Sequence, residues 1–460
     1  MKRISGFLIA ALAAVLMLAA CKEGPVGPMG KDGLQGPAGQ NAGSTNFLVV
    51  FDTDGGLPAV NAAAVASGGK VTRPVDPVKP FTGKAGLYRG YPAVYTFAGW
   101  VKDDDTPYDF DTATVSGSIT LTAKWTAPAV INIADRSETG VIAQAIGYIK
   151  AQPATPERAY TLLLDEDVNC APQTLNAADI KLSLIGIGRE RKINLSTTGA
   201  LFTVGTSGQT GIELSLGKNI TLVGRSVGGN GGVNNNASVV TVQDGAGFTM
   251  LEGSKITGNT SNNTGFGYGS AVYVSNAAFT MKGGVITGNT STYVGPESTG
   301  GVYGTNATPA ITMEGGSVTG NTATHDVNLF QSNSFELKGG ATIGVLCLGA
   351  ASLATTYSVT IYPGWTGWVG RLHLRASDAS LTTTITWWST TTNPVLKAAT
   401  GYTLKAADVA KFPLGNFMCG TAGSTQPITG NLAGTTNYRI EDSETNGNIG
   451  KLVAVVPVTP

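Results

Sequence analysis

The sequence predicts a mainly β protein whose body is a right-handed parallel β-helix, and three observations carry that expectation. The first is composition: 63 of 460 residues are Gly and only 13% are charged, and the abundance of Gly, Thr, Asn and Val favours short strands and turns over helices. The second is self-similarity. Phe248-Thr249-Met250, Phe279-Thr280-Met281, Ile311-Thr312-Met313 and Phe335-Glu336-Leu337 are one motif, recurring at steps of 31, 32 and 24 residues. Such a period is the signature of stacked repeats. The third is the fixed sequel to the first three copies: Lys255-Ile256-Thr257-Gly258-Asn259, Val285-Ile286-Thr287-Gly288-Asn289 and Ser317-Val318-Thr319-Gly320-Asn321.

Within each motif two apolar residues flank a polar one, so Phe248 and Met250 face inward while Thr249 faces out. One coil cannot bury such a face alone. Stacking coils at ~4.8 Å lines Met250, Met281, Met313 and Leu337 into an internal column. Glycine suits the corner of each coil because it adopts special backbone angles cheaply, and asparagine beside it tolerates the left-handed region. Stacked Asn259, Asn289 and Asn321 are expected to bond side chain to side chain as an internal ladder.

Less regular coils are read at Ile193-Asn194-Leu195, Leu201 to Val204, Ile212-Glu213-Leu214, Asn219 to Leu222 and Val239 to Val242. They give roughly seven to nine coils between Tyr160 and Trp368. A two-sheet sandwich would not explain the register. The β-helix is placed at residues 128–375 and a C-terminal β cap at 376–460. At its start Val141, Ile142, Ala145, Ile146 and Ile149 share one helical face that stops at Pro153, the pattern of a short helix covering the open end.

The N-terminus reads as an export signal over residues 1–20. Lys2 and Arg3 supply the positive start, and Phe7 to Leu18 form an apolar run too short for a comfortable membrane span of roughly 20 residues. Leu18-Ala19-Ala20-Cys21 resembles the lipobox of bacterial lipoproteins, which implies lipid attachment at Cys21. Two or three acyl chains there would replace a transmembrane helix, at ~0.8 kcal/mol per buried CH₂. Residues 21–46 follow as anchor and linker, with glycine at every third position from Gly24 to Gly39. This is the collagen pattern, in which only Gly fits the axis. So short a tract leaves two readings open, a solvated spacer or a stalk that makes a homotrimer.

From Phe47 to Thr126 strands alternate with turns. The first strand ends in Asp54-Gly55-Gly56. Gly68-Gly69-Lys70-Val71, Phe97-Ala98-Gly99-Trp100, Tyr108-Asp109-Phe110 and Ala123-Lys124-Trp125 follow. On these motifs residues 47–127 resemble the internalin-type B repeat, also called the Listeria-Bacteroides repeat. The resemblance implies a small β-grasp-like module of secreted bacterial surface proteins, with an insert around Lys84 to Tyr91 longer than the family pattern. The stretch from Ala159 to Gly344 in turn resembles the repeat-rich surface lipoproteins of spirochaetes and gut bacteria, which are adhesin-like.

Chemistry is sparse. Zero formal net charge and the lack of a basic patch argue against nucleic acid as a partner. Coil alignment puts Leu251, Lys282 and Glu314 at one position and Glu252, Gly283 and Gly315 at the next, so no acidic column builds up for a polysaccharide lyase or hydrolase. His325 and His373 are the only histidines and are read as solvated surface residues. Asp103-Asp104-Asp105 and Asp165-Glu166-Asp167 lack the spacing of a calcium loop and read as solvated turns. Cys170, Cys347 and Cys419 remain after lipidation and read as mostly buried apolar side chains. Trp365 and Trp368 are assigned to packing.

These readings predict no enzyme, no catalytic residue, no metal and no cofactor. The expected function is that of a lipid-anchored, adhesin-like protein on the bacterial cell envelope, at the outer membrane, presenting a β-helix to a host protein or glycan. A carbohydrate-active β-helix enzyme is the alternative. Ligand contacts are expected in the loops Ser261 to Gly269 and Ser291 to Gly300, with Tyr268, Tyr293 and Tyr303 as the contact residues, and deleting the loops is expected to spare folding.

Overall fold

The computed structural model describes residues 45–455 except 80–83, 91–94, 134–139, 155–157, 263–268, 296, 306–310, 331–334, 351–357, 377–393, 420–427, 431–436 and 443–448. The export signal, Cys21 and the collagen-like tract lie outside the described residues. The chain packs as two units. One falls within Met1–Phe51, Asn61–Arg73 and Tyr108–Leu121, and the other within Asp52–Val60, Pro74–Pro107 and Thr122–Pro460.

The larger unit is built on three runs of parallel strands. The first takes one strand per coil: Arg158–Leu164, Ile180–Gly186, Glu213–Leu216, Gly247–Met250, Ala278–Met281, Ile311–Met313, Phe335–Leu337, Val359–Ile361 and Leu396–Ala398. The second starts at Val168–Cys170 and Arg191–Leu195 and passes through Lys255–Thr257 to Ser317–Val318. The third starts at Gln173–Leu175 and Phe202–Val204 and passes through Val272–Ser275, Thr299–Thr305 and His325–Phe330. The second and third runs meet on the long strand Thr342–Ala350, and parallel pairing goes on through Trp368–Ala376 to Leu414–Cys419. Each coil thus lays one strand on each wall before the next begins, the connectivity of a parallel β-helix.

The register matches the sequence period. Leu216, Met250, Met281, Met313, Leu337 and Ile361 are successive partners, as are Leu214, Phe248, Phe279, Ile311, Phe335 and Val359. All are at most 1% exposed. Phe248 and Phe279 stack with centroids 5.5 Å apart at 20°, as expected where identical side chains recur on neighbouring strands. The second run adds its own column of Ile193, Leu222, Ile256, Ile286, Val318 and Ile343. Burying each such side chain is worth ~1.5–3 kcal/mol, so the columns carry the stack.

The corner glycines have the predicted geometry: Gly258, Gly288 and Gly320 sit at φ +72°, +66° and +69°, in the region that penalises a Cβ. Beside them an asparagine ladder runs further than expected, but the step from Asn259 to Asn289 is made by backbone to side chain, not side chain to side chain. The Asn259 backbone N–H donates to Asn289 Oδ1 (3.2 Å), and the Asn289 side-chain amide donates to Asn321 Oδ1 (3.0 Å). Asn235 extends it below by donating to Asn259 Oδ1 (3.1 Å), and Asp326 ends it above by accepting from Asn321 Nδ2 (2.8 Å).

The first coil is closed in two ways. A helix, α1 (Val141–Ala151), buries Ile142, Ala145, Ile146 and Ile149 against the core. Arg158 caps its C-terminal end by donating to the Lys150 carbonyl (3.0 Å), which satisfies an acceptor the helix itself cannot. The strand Gly86–Arg89 pairs antiparallel with Arg158–Leu164, with Leu87 opposite Leu162 and Tyr88 opposite Thr161. This strand falls within the Lys84 to Tyr91 stretch, expected from the sequence to be an insert, and it covers the edge of the first wall. At the far end Leu396–Ala398 pairs antiparallel with Ile449–Val455. Trp365 is buried against Phe412 and donates to the Ala341 carbonyl (3.0 Å), whereas Trp368 is half exposed.

The same unit contains the Phe97-Ala98-Gly99-Trp100 signature on strand Thr96–Val101, antiparallel to Ile119–Thr126. The register slips between Phe97 and Gly99, and Gly99 takes φ +122° there, a bulge. Phe97 packs on both Trp100 (5.7 Å) and Trp125 (5.3 Å).

In the smaller unit Asn46–Asp52 pairs antiparallel with Ala63–Ala66. Val71 and Val115 are buried, and Tyr108 meets Phe110 edge-on at 4.9 Å. Asp109 between them accepts from the Asp111 N–H (2.9 Å) and the Thr112 hydroxyl (2.5 Å), which fixes the turn.

Candidate functional site

The third run places one residue per coil on its outer side: Thr203, Thr241, Tyr273, Tyr303, Asn328, Cys347 and His373. The first three are half-buried, as an outer file should be. From Tyr303 onward the file is buried, at 4%, 0%, 0% and 5% exposure. The outer side is covered here, in part by Glu297, which is buried against Arg375 of the same wall.

Glu297 and Arg375 are both buried and form an ion pair. Arg375 belongs to a strand three coils beyond the one that follows Glu297. Its next partners in the file are Gly349 and Phe330. Gly349 has no side chain in the way, and the guanidinium lies 4.4 Å from the Phe330 ring centroid, a cation–π contact. The Glu297 carbonyl accepts from the Thr299 hydroxyl (2.8 Å), and the Ser298 N–H donates to the Gly295 carbonyl (3.0 Å). Burial and the Glu297 charge raise the Tyr293 phenol.

His325 Nε2 and His373 Nδ1 are hydrogen-bonded at 3.1 Å, with the rings edge-on. Burial pushes His325 well below its ordinary value, and the His373 and Arg375 charges add to this. Burial, then Arg371, lowers His373 to about 4. Both imidazoles are therefore neutral at pH 7. The expectation that they are solvated is corrected: an outward strand position is a surface position only where nothing covers the sheet. Cys347, next to His373 in the file, is pushed up to about 12 by burial, so it holds no thiolate at neutral pH. Cys170 is likewise buried and free; the Cys419 side chain lies outside the described residues.

Of the three expected contact residues, Tyr303 is buried and stacks on Tyr273 at 6.0 Å and 20°. Burial raises its phenol, and Arg375 opposes the shift. Its ring is part of the covered wall and not a free surface. Tyr293 is half-buried over the covering segment, and Tyr268 lies outside the described residues. The idea that removing Ser291 to Gly300 spares folding is also corrected. The deletion takes Thr299 and Gly300 out of a strand and leaves the Arg375 charge buried without its carboxylate.

Sequence reasoning found this loop but missed Arg375, Asn328 and the histidine pair. Val327, Leu329, Leu346, Leu348, Leu372 and Leu374 alternate with them and are buried, and that alternation hides a covered outer face. The acidic runs behave as turns. Asp104 accepts from the Thr106 N–H (3.0 Å), and Asp167 accepts from Arg189 (3.2 Å) and the Lys192 N–H (3.1 Å). Among the described residues no group of three His, Cys, Asp or Glu side chains could hold a metal ion.

The comparison with known proteins concerns the other end of the chain. Residues 92–124 match the Listeria-Bacteroides repeat domain. That repeat family occurs in bacterial surface proteins. The match takes in Phe97-Ala98-Gly99-Trp100, Tyr108-Asp109-Phe110 and Ala123-Lys124, and it begins after the strand Gly86–Arg89. No curated protein and no solved structure matches the chain. No helix among the described residues is long and apolar enough to cross a membrane.

Proposed function

We propose that this chain is a lipid-anchored protein of the bacterial cell surface that displays its β-helix as an adhesin-like binding scaffold and catalyses no reaction. The observation that carries the reading is the Listeria-Bacteroides repeat set directly before a long parallel stack. A stack whose coils pack through continuous apolar columns is stiff and elongates with each coil, which suits a device for holding loops away from a membrane. In this reading Cys21 carries the lipid, the collagen-like tract is the stalk, residues 47–127 are a β-grasp-like spacer, and the coils wind right-handedly as parallel crossovers do. Glu297, whose carboxylate pairs with Arg375, fits structural support better than acid–base work.

Cells making the full chain test the proposal. Labelled palmitate should be incorporated, Cys21→Ala should lose both the label and the membrane association, and protease added to intact cells should digest the wild type. A Cys21→Ala chain that stays in the membrane fraction, or complete protection from protease, would overturn it.

A further inference from the structure

The strand Asn46–Asp52 is apolar on both of its sides. Phe47, Val49 and Phe51 point one way, and Val49 and Phe51 are buried. Leu48 and Val50 point the other way and are 49% and 38% exposed. On the paired strand Ala64 lies opposite Leu48, Ala66 follows on the same side, and both are exposed. The far edge of that strand carries no partner strand among the described residues. An antiparallel sheet with one solvated face alternates apolar and polar side chains, whereas a strand that is apolar on both sides belongs to a sheet covered on both. The side formed by Leu48, Val50, Ala64 and Ala66 thus has the residues of an interface, and its alanines let another backbone approach closely.

We propose that this face packs against the same face of two further copies of the chain; the homotrimer rests on the stalk reading above and goes beyond it by giving the three chains a folded contact. The occupant follows from the residues just before the strand. Glycine stands at every third position from Gly24 to Gly39, with Pro25, Pro28 and Pro37 among the residues between, and that period suits a helix of three chains. Gly39 is seven residues from Asn46, which extended chain spans in at most about 25 Å. Three copies joined along the tract start their first strands within that distance of one axis, and Leu48 comes two residues later. The face carries no charge, so like copies meet without repulsion. Neither element suffices alone. Stable interfaces bury roughly 800 Å² per partner, more than four aliphatic side chains provide, and six glycines make only a short triple helix. Tethering raises the local concentration of each face to the order of millimolar, so a contact too weak to join free chains holds tethered ones.

The test is sedimentation equilibrium of the purified full chain in excess density-matched detergent, which reads the protein mass alone. The wild type should have three times the mass of one chain. The double variant Leu48→Glu, Val50→Glu should have the mass of one chain and an unchanged circular dichroism spectrum, because both positions face solvent within a chain. Gly30→Ala, Gly33→Ala should also be monomeric, since a side chain at the axis breaks the triple helix. Val75→Glu, at a valine 80% exposed elsewhere, should remain a trimer. A monomeric or dimeric wild type, a trimer that survives either double variant, or a trimer that Val75→Glu dissociates equally would each overturn the proposal. A chain that is labelled at Cys21 and digested on intact cells but sediments as a monomer fails here alone. A trimer that takes up no label fails the surface reading alone.

Discussion

Asn289 donates to a single atom of Asn321 twice over: its backbone N–H and its side-chain amide both reach Asn321 Oδ1, at 3.1 and 3.0 Å. The same amide also reaches the Ile256 carbonyl (3.2 Å), and Asn289 Oδ1 accepts from the Asn259 N–H. One buried side chain therefore satisfies two backbone groups of the preceding coil, and its amide also reaches the Thr287 carbonyl of its own (3.2 Å). Asn289→Ala should cost about 2–4 kcal/mol, because it strands groups that water cannot reach. Thr290→Ala, one residue along and half-buried, should cost under about 0.5 kcal/mol. Guanidinium unfolding of both variants reads the difference, and equal costs would refute a ladder that bears load.

The apolar column makes a parallel prediction. Met281 is fully buried between Met250 and Met313, so Met281→Ala should cost about 2–5 kcal/mol through lost contacts and a cavity. Thr280→Ala on the outer side of the same strand should stay within about 0.5 kcal/mol. Both are measured as shifts of the denaturant midpoint at constant slope. A large loss for Thr280→Ala would mean that this wall too is covered.

Why the sequence disclosed one wall and concealed another follows from what each wall faces. Phe248-Thr249-Met250 and its copies have one face in the core and one at the surface, so parity alone assigns every side chain, and the corner Gly-Asn pairs mark where coils end. The third run is covered on its outer side from Tyr303 onward, and there parity still separates Val327 from Asn328 but no longer separates buried from exposed. Cys347 was the legible warning, since it sits outward between Leu346 and Leu348. Arg375 and Glu297 are 78 residues apart in sequence, and nothing local links them. The extra length at Lys84 to Tyr91 was visible, but the pairing of Gly86–Arg89 with the first wall depends on partners far along the chain, such as Thr161, whose hydroxyl donates to the Gly90 carbonyl 71 residues away (2.7 Å).

The Glu297–Arg375 pair should behave as a buried ion pair does. Arg375→Met leaves a buried carboxylate and Glu297→Gln leaves a buried guanidinium, so each should cost about 3–5 kcal/mol. The double variant should recover much of that loss. A double-mutant cycle by thermal or denaturant unfolding gives the coupling energy. Additive costs would show that the two side chains do not depend on each other.

Stability should fall in mild acid because of the histidine pair. Both folded values lie below the unfolded value near 6.5, so the unfolded chain takes up more protons as pH drops. The contribution is complete above about pH 6.5 and is lost as pH falls from there toward 4, with His373 accounting for about 3 kcal/mol. Arg371 and Arg375 oppose protonation, while Glu297 is already paired and Cys347 and Tyr303 are uncharged in this range. Denaturant midpoints at pH 7.5, 5.5 and 4.5 measure the slope. The double variant His325→Gln, His373→Gln should flatten it, and an unchanged slope would place the acid sensitivity elsewhere.

The strand Gly86–Arg89, which lies between Arg158–Leu164 and the short strand Val130–Ile131, carries the last prediction. An uncovered parallel edge offers a row of backbone donors and acceptors to any extended chain, including another copy of this protein. In the native chain that row is occupied: the Gly90 N–H donates to the Ala159 carbonyl (2.8 Å), and Leu87 and Tyr88 are fully buried on the strand beside it. Replacing residues 86–89 with a Gly-Ser linker of equal length removes the two buried side chains, at about 3–5 kcal/mol, and also uncovers Arg158–Leu164. The coils further along keep their own columns, so the chain should remain folded but associate as its concentration rises. Light scattering across a concentration series, with circular dichroism as the check on folding, reads both effects. A folded variant that stays monomeric throughout would show that α1 alone protects the first coil.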